Sequence, residues 1–221
     1  MSLITLRHSR NACLADLAFY ALTLVGLSAG LLQQSAPLRL QPQTAAQVLG
    51  LYLLGLLLWS LLEYLTHRFV LHGLQPFQRW HALHHALPQA HVGLPTWLSA
   101  SLFATLVFAL LYLLLGGVWS TLVMLGVLSG YLMYSAIHHA VHQGLAAERA
   151  PGDWLARRAR WHALHHQGGA SRCYGVSSSF WDRALGSHLR ARGSAPAGSP
   201  PPKPATPEAR HSAAVRQRTD P

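Results

Sequence analysis

The sequence predicts an all-α integral membrane protein in which four transmembrane helices carry a cytoplasmic, histidine-rich helical cap. Three observations predict it. Hydrophobic residues make up 51% of the chain and charged residues only 11%, whereas about a quarter of a soluble protein is charged. Four apolar runs, at about 12–32, 45–66, 96–115 and 118–137, are long enough to cross about 30 Å of hydrocarbon. The heptapeptide RWHALHH occurs twice, at 79–85 and 160–166, each time in the polar segment that follows a pair of runs.

The chain opens with Met1 to Asn11, which carries Arg7 and Arg10, and enters its first run at Ala12. That run is long for the apolar core of a signal peptide, and no small-residue cleavage site stands out in 33–43, so it reads as a retained span. Asp16 lies near its entry end, where a charge is less costly than at mid-bilayer, and reads as an interfacial acid. Residues 33–43, with Pro37 and Pro42, form a polar connection of the length that joins antiparallel neighbours. The second run continues without a break through Glu63 to His72, so its helix delivers His67 and His72 to the membrane surface. Pro76 ends or kinks that helix before the first heptapeptide. The third and fourth runs form a hairpin around Gly116 and Gly117, and the fourth leads into His138, His139 and His142. A loop over 143–153 then precedes the second heptapeptide. The cap thus comprises 67–91 and 138–188, within a membrane domain of 1–192. The remaining stretch, 193–221, is rich in Pro, Ala and Arg and reads as a disordered tail.

A formal net charge of +10 invites a nucleic-acid reading, but the basic residues avoid the apolar runs and crowd into the last third of the chain. Such flanks are the expected cytoplasmic signature of membrane spans, so no nucleic-acid partner is expected. Arg39 alone lies on the far side of the first hairpin, while Arg7, Arg10, Arg68, Arg79 and the C-terminal basic residues lie on the histidine side. Both termini and the histidines are therefore expected in the cytoplasm. Cys13 and Cys173 stand far apart in a spacing that suits neither a disulfide framework nor a thiolate metal site.

The histidines carry the chemistry. Residues at i, i+3 and i+4 share a helical face, so His81, His84 and His85, and likewise His162, His165 and His166, can each aim three imidazoles at one point. Neutral imidazole suits iron, zinc, copper and nickel. Two tripods point to two metals or one shared cluster. His138 and His142, four apart, share a face; His139 points elsewhere. His67 and His72 are five apart, about 140° round an ideal α-helix, and cannot share a face unless the helix ends or distorts there. Glu63, four before His67, could fix its tautomer by accepting the second ring N–H, or pair with Arg68 or Arg79. His8, His188 and His211 read as incidental.

The segments EYLTHRFVLH (63–72), HALHH (81–85), YSAIHHAVH (134–142), HALHH (162–166) and YGVSSSFWDRALGS (174–187) resemble the fatty acid hydroxylase/sterol desaturase superfamily of membrane non-haem di-metal enzymes. The opening E-Y-x-x-H-R-F-x-x-H and the H-H-x-x-P of His84, His85 and Pro88 are most similar to the fatty acid 2-hydroxylase branch. The resemblance implies ten ligands: His67, His72, His81, His84, His85, His138, His142, His162, His165 and His166. It implies two iron ions, with zinc accepted by the same imidazoles in an isolated protein, O₂ as co-substrate and an external electron donor. No fused cytochrome domain of the eukaryotic kind is seen in the sequence, so a separate electron-transfer protein is expected. The small size suggests a bacterial inner-membrane enzyme.

An unactivated C–H bond needs an oxidant that side chains do not provide and paired irons do. The expected activity is hydroxylation of a lipid, foremost a fatty acyl chain, entering from the bilayer through an apolar tunnel between spans and cap. Glu63 and Asp182 are expected behind the ligands, or as surface ion-pair partners. Tyr134, Tyr174, Trp80 and Trp161 would line the acyl route or anchor the interface. Desaturation, or oxidation of a sterol-like or carotenoid lipid, is the alternative chemistry. Of other classes, a zinc-dependent lipid hydrolase would need far fewer histidines. A metal transporter would place its ligands near the bilayer midplane instead of at one surface.

Overall fold

The computed structural model describes residues 7–35, 42–145, 149–150, 152–167 and 172–188. The stretch 193–221, expected as a tail, lies outside them. Long helices dominate: α1 (Arg10–Ser35), α2 (Pro42–Leu65), α3 (Phe77–Ala86), α4 (Thr96–Leu102), α5 (Ala109–Leu115), α6 (Gly117–His142), α7 (Trp154–Gln167) and α8 (Phe180–Ala184). Two π-helical segments, Thr66–Leu71 and Phe103–Phe108, continue α2 and join α4 to α5. The one pairing of strands among the described residues is antiparallel and two residues long, β1 (Arg7–His8) against β2 (His91–Val92). It ties the start of α1 to the loop after α3.

Four helical stretches are long and apolar enough to cross a membrane: Arg10–Gln33, Thr44–Leu71, Thr96–Leu115 and Gly117–His142. They contain the four runs expected from the sequence. In α6 half of the most apolar window is buried inside the protein, against 6% in the first and third stretches. The fourth span is therefore the central helix, and the others turn most of their apolar surface outward. Its packing depends on small residues. A Cβ at Gly126 would meet the Tyr52 carbonyl and the Gly55 Cα, and one at Gly55 would meet the Val123 carbonyl, so α2 and α6 cross backbone to backbone. Close approach of this kind maximises dispersion contact where lipid offers no hydrophobic drive. At Gly130 the space of a side chain is filled by the Trp59 ring.

Around this crossing Tyr20, Trp59, Val123, Met124, Val127 and Leu128 form the buried core. Tyr20 stacks edge-on against Tyr131 at 4.5 Å, and its hydroxyl shares a 2.7 Å hydrogen bond with Ser99, fastening α1 to α6 and α4. The hairpin between α5 and α6 turns at Gly116, whose φ of +77° favours glycine. The two span pairs consequently deliver their histidine-bearing ends to the same side.

Candidate metal centre

The conflict between His67 and His72 is resolved by the backbone. The helix does not simply end there. It widens to i→i+5 hydrogen bonding over Thr66–Leu71, which brings a residue over the one five before it. The two rings stack 5.2 Å apart, with 30° between their planes.

The ligand atoms fall into two groups. His67, His72, His81, His85 and His165 offer ring nitrogens that all lie within 4.8 Å of one another, and His84, His142, His162 and His166 form a second such group. Neither heptapeptide serves one group by itself. On a helix, i and i+4 differ by about 40° and i+3 diverges by about 60° to the other side. His81 and His85 therefore stay together while His84 crosses, and His162 and His166 stay together while His165 crosses. The tripods interdigitate, each giving two imidazoles to its own group and one to its partner's. His85 and His166 stack at 4.3 Å where the groups adjoin. His138 stands beside the second group, its Nε2 3.1 Å from that of His142. His139 belongs to neither.

The spacing bears on which ions fit. In the first group the Nε2 atoms are 3.0 Å apart for His67–His81 and 3.1 Å for His81–His85, His85–His165 and His72–His165. In the second they are 2.8 Å for His142–His162 and 3.1 Å for His162–His166. Metal–imidazole bonds of about 2.1 Å give edges of about 3.0 Å at right angles and about 3.4 Å at the tetrahedral angle. The donors are thus close enough within each group to converge on a single first-row ion. Both ring nitrogens of His84 are buried with no hydrogen-bond partner among the described residues. That arrangement costs about 1–3 kcal/mol per group unless a cation takes the lone pair.

Tautomers are set from behind. His67 Nδ1–H donates to the Tyr174 carbonyl at 2.5 Å and His165 Nδ1–H to the Arg172 carbonyl at 2.7 Å, which leaves the Nε2 lone pairs facing inward. Burial first, and the neighbouring imidazoles second, push His72, His85 and His166 down to about 4 and His84 to about 2. The same causes lower His81 and His162. Imidazoles kept neutral are ready ligands.

Because the folded-state values lie below the ordinary 6.5, the unfolded chain takes up protons first as the pH falls, and the metal-free protein loses stability from about pH 6.5 toward 4. Within the folded protein, protons compete with metal only near the lowered values. Bound metal, assayed by elemental analysis after equilibration, is expected to hold from pH 8 to about pH 5 and to fall below that. A midpoint near 6.5 would contradict the lowered values.

Glu63 and Asp182 do not touch an imidazole through a hydrogen bond. Glu63 Oε1 accepts the Val176 and Ser177 amides at 2.6 and 2.9 Å, and Oε2 accepts the Ser177 hydroxyl. Asp182 accepts the Tyr174 and Gly175 amides at 2.9 and 2.8 Å and the Ser187 hydroxyl at 2.7 Å. Glu63 thus grips the 174–177 loop in place of His67, Arg68 or Arg79, because the four amides of that loop and the Ser177 and Ser187 hydroxyls need buried acceptors, and Glu63 and Asp182 take three each. Both carboxylates act on His67 one step removed, by holding the Tyr174 carbonyl. A Cβ at Gly175 would meet the Ser178 carbonyl and Asp182, so this turn admits glycine alone. Cys173 enters it with a φ of +58°. The carbonyls of Arg172 and Tyr174 escape sequence reasoning, since backbone acceptors carry no residue signature; the buried Glu63 and Asp182 are the nearest clue.

A cavity of about 670 Å³ runs from Leu102, Leu106 and Val107 in the third span up to His67, His81, His84, His138 and His142, so it reaches both groups. Trp80, Tyr134 and Asp16 line it. Tyr174 instead packs against the rings of His67, His72 and His165, and Trp161 lies under the Arg158 guanidinium.

Residues 52–187 match the family model described as fatty acid hydroxylase. The chain is 33% identical over 142 residues to the dihydroceramide fatty acyl 2-hydroxylase of Arabidopsis thaliana, covering 60% of this chain and 57% of that protein. It is 31% identical over 144 residues to the fatty acid 2-hydroxylase of Homo sapiens, covering 60% and 38%. The chain therefore spans well under two thirds of the length of these relatives. Among solved structures, full-length scs7p, with only its hydroxylase domain visible, has the same fold at a TM-score of 0.67 and 24% identity, over 81% of this chain and 67% of that one.

Proposed function

Because the chain belongs to the fatty acid hydroxylase family, we propose that it is an O₂-dependent, non-haem di-iron monooxygenase that hydroxylates a C–H bond of a lipid acyl chain. The observation that carries this reading is the apolar cavity that leads from the third span to two all-histidine groups. The names of the relatives favour the carbon next to the acyl carbonyl. The chain is an integral membrane protein, and the basic flanks favour a cap facing the cytoplasm of a bacterial inner membrane.

His67, His72, His81, His85 and His165 would hold one iron, and His84, His142, His162 and His166, with His138 adjoining, the other. Paired irons supply the reduction of O₂ to an oxidant strong enough for an unactivated C–H bond. An imidazole shell carries no formal charge, unlike the carboxylate-rich shells of soluble di-iron bundles, and this favours higher potentials. The chain's own work is positional. Leu62, Phe103 and Val107 give the acyl chain an apolar bed and keep water from the reacting carbon. Phe77 and Trp80 line the same cavity as His81 and His84, so they would help to hold a chain seated there beside both groups.

The test is lipid mass spectrometry on cells supplied with ¹⁸O₂ and expressing the wild type, His84→Ala or His165→Ala. Labelled oxygen in a lipid hydroxyl, in the wild type alone, is the expected result. Loss of two hydrogens without label would replace hydroxylation by desaturation. No histidine-dependent change, with reductant and folded protein verified, would overturn the oxygenase reading.

A further inference from the structure

The cavity beneath the histidines has an inner end. On α6 its lining runs from His142 and His138 down to Tyr131, and on the second span from Leu71 and His67 down to Trp59. Among the described residues, none further from the histidines on these two helices belongs to it. One turn beyond Tyr131, Val127 and Leu128 are instead buried in the packed core.

Three rings meet at this end. Trp59, Tyr131 and Phe103 of the third span all line the cavity, with centroids 5.2 Å apart for Trp59–Tyr131, 5.0 Å for Phe103–Tyr131 and 5.9 Å for Trp59–Phe103. Each is thus in stacking range of both others. They are held from behind, since Tyr20 stacks on Tyr131 at 4.5 Å and on Phe103 at 6.0 Å, and Trp59 fills the space left by Gly130. Phe103 also opens the second π-helical segment, which has no histidine to accommodate yet gives Phe103, Leu106 and Val107 to the lining. Widened turns of this kind recur at functional sites. Val107 packs against the same core as the rings, whereas Leu106 is 66% exposed.

The depth can be read from the helices. Tyr131 precedes His138 by about 10.5 Å of helical rise, and Trp59 precedes His67 by about 12 Å. Carbon–carbon bonds of about 1.5 Å meeting at about 111° advance an extended chain by about 1.25 Å per carbon. About 8–10 carbons therefore fit between the level of the histidines and the rings.

We propose that Trp59, Phe103 and Tyr131 are the floor of the acyl site and set the length of chain it takes, about 10–12 carbons counted from the carbonyl. This rests on the hydroxylase reading, in which the carbon next to the carbonyl stands at the histidines and the remaining carbons run toward the rings. A chain of that length ends against aromatic faces. A longer one meets packed core, and each methylene that does not fit costs about tenfold or more in discrimination.

The experiment uses the full chain in phosphatidylcholine nanodiscs and, as probe, a saturated fatty acid of about 11 carbons with a terminal diazirine. Photolysis followed by peptide mass spectrometry is expected to place the label on Trp59, Phe103 or Tyr131. Unlabelled fatty acids of graded length, compared at equal mole fraction in the disc, should compete best at about 10–12 carbons and at least about tenfold less well at about 16–18. Phe103→Ala should move that optimum to longer chains. Leu62→Phe, which adds a ring to the cavity wall one turn nearer His67, should move it to shorter ones. Bound metal and melting temperature report that each variant is folded. Competition that stays level or strengthens with length in the wild type, as chains leaving past Leu106 would give, would overturn the proposal, and so would an optimum that neither folded variant moves. Photolabelling reads occupancy without turnover. A sharp optimum in a wild type that forms no hydroxylated lipid with O₂ and reductant would sink the hydroxylase reading and keep the floor, while hydroxylation without length preference would sink the floor alone.

Discussion

His162→Ala is expected to leave no measurable hydroxylated lipid and to lower bound metal from about two ions per chain to about one. His162 is 1% exposed, and its Nε2 lies 2.8 Å from that of His142 and 3.1 Å from that of His166, so it sits at the centre of the second group. Removing a residue that merely supports a ligand typically costs 10–100-fold in metal affinity or activity, so loss of a ligand should exceed about 100-fold. The first group keeps all five of its imidazoles, which is why half of the metal should remain. Elemental analysis of purified protein beside product assays decides it. Full metal content with full activity would remove His162 from the centre, and loss of all metal would show that the groups fill as one unit.

Glu63→Ala is expected to be the most damaging change outside the ligands. Glu63 is 4% exposed and accepts two backbone amides and a hydroxyl from the loop after α7. Deletion leaves those donors buried without an acceptor, at about 1–3 kcal/mol each, so a loss of about 3–5 kcal/mol is expected. Release of the loop frees the Tyr174 carbonyl from behind His67, and metal affinity should fall about 10–100-fold with it. Glu63→Gln keeps an oxygen for the amides and should recover most of the stability. Thermal melts with and without added iron would separate the two effects. A Glu63→Ala protein that melts and loads like the wild type would show that the loop is held by other contacts.

The family, the four spans and the clustering of histidines at the ends of the spans could be read from the chain because each depends on local order. Apolar runs report their own length, and a doubled H-x-x-H-H reports its own helical face. The pairing of ligands could not be read in this way. From spacing alone, each tripod looks able to serve one point. The division of each into a pair and a crossing histidine, and the joining of His165 to His85 across 80 positions, arise only when α3 and α7 face each other. The widened turn at Thr66–Leu71 was visible only as a contradiction, five residues where a shared face needs three or four. It holds because both imidazoles must reach the same group.

By itself, then, the sequence determined the class of solvent, the helices and the kind of ligand, since hydropathy and periodicity are properties of neighbouring residues. Only the tertiary structure decided which imidazoles stand together in each group, and that Glu63 and Asp182 hold a loop instead of a ring. Those relations join residues far apart in the chain. They are set by backbone amides and carbonyls, which are the same in every residue and leave no mark in the order of side chains.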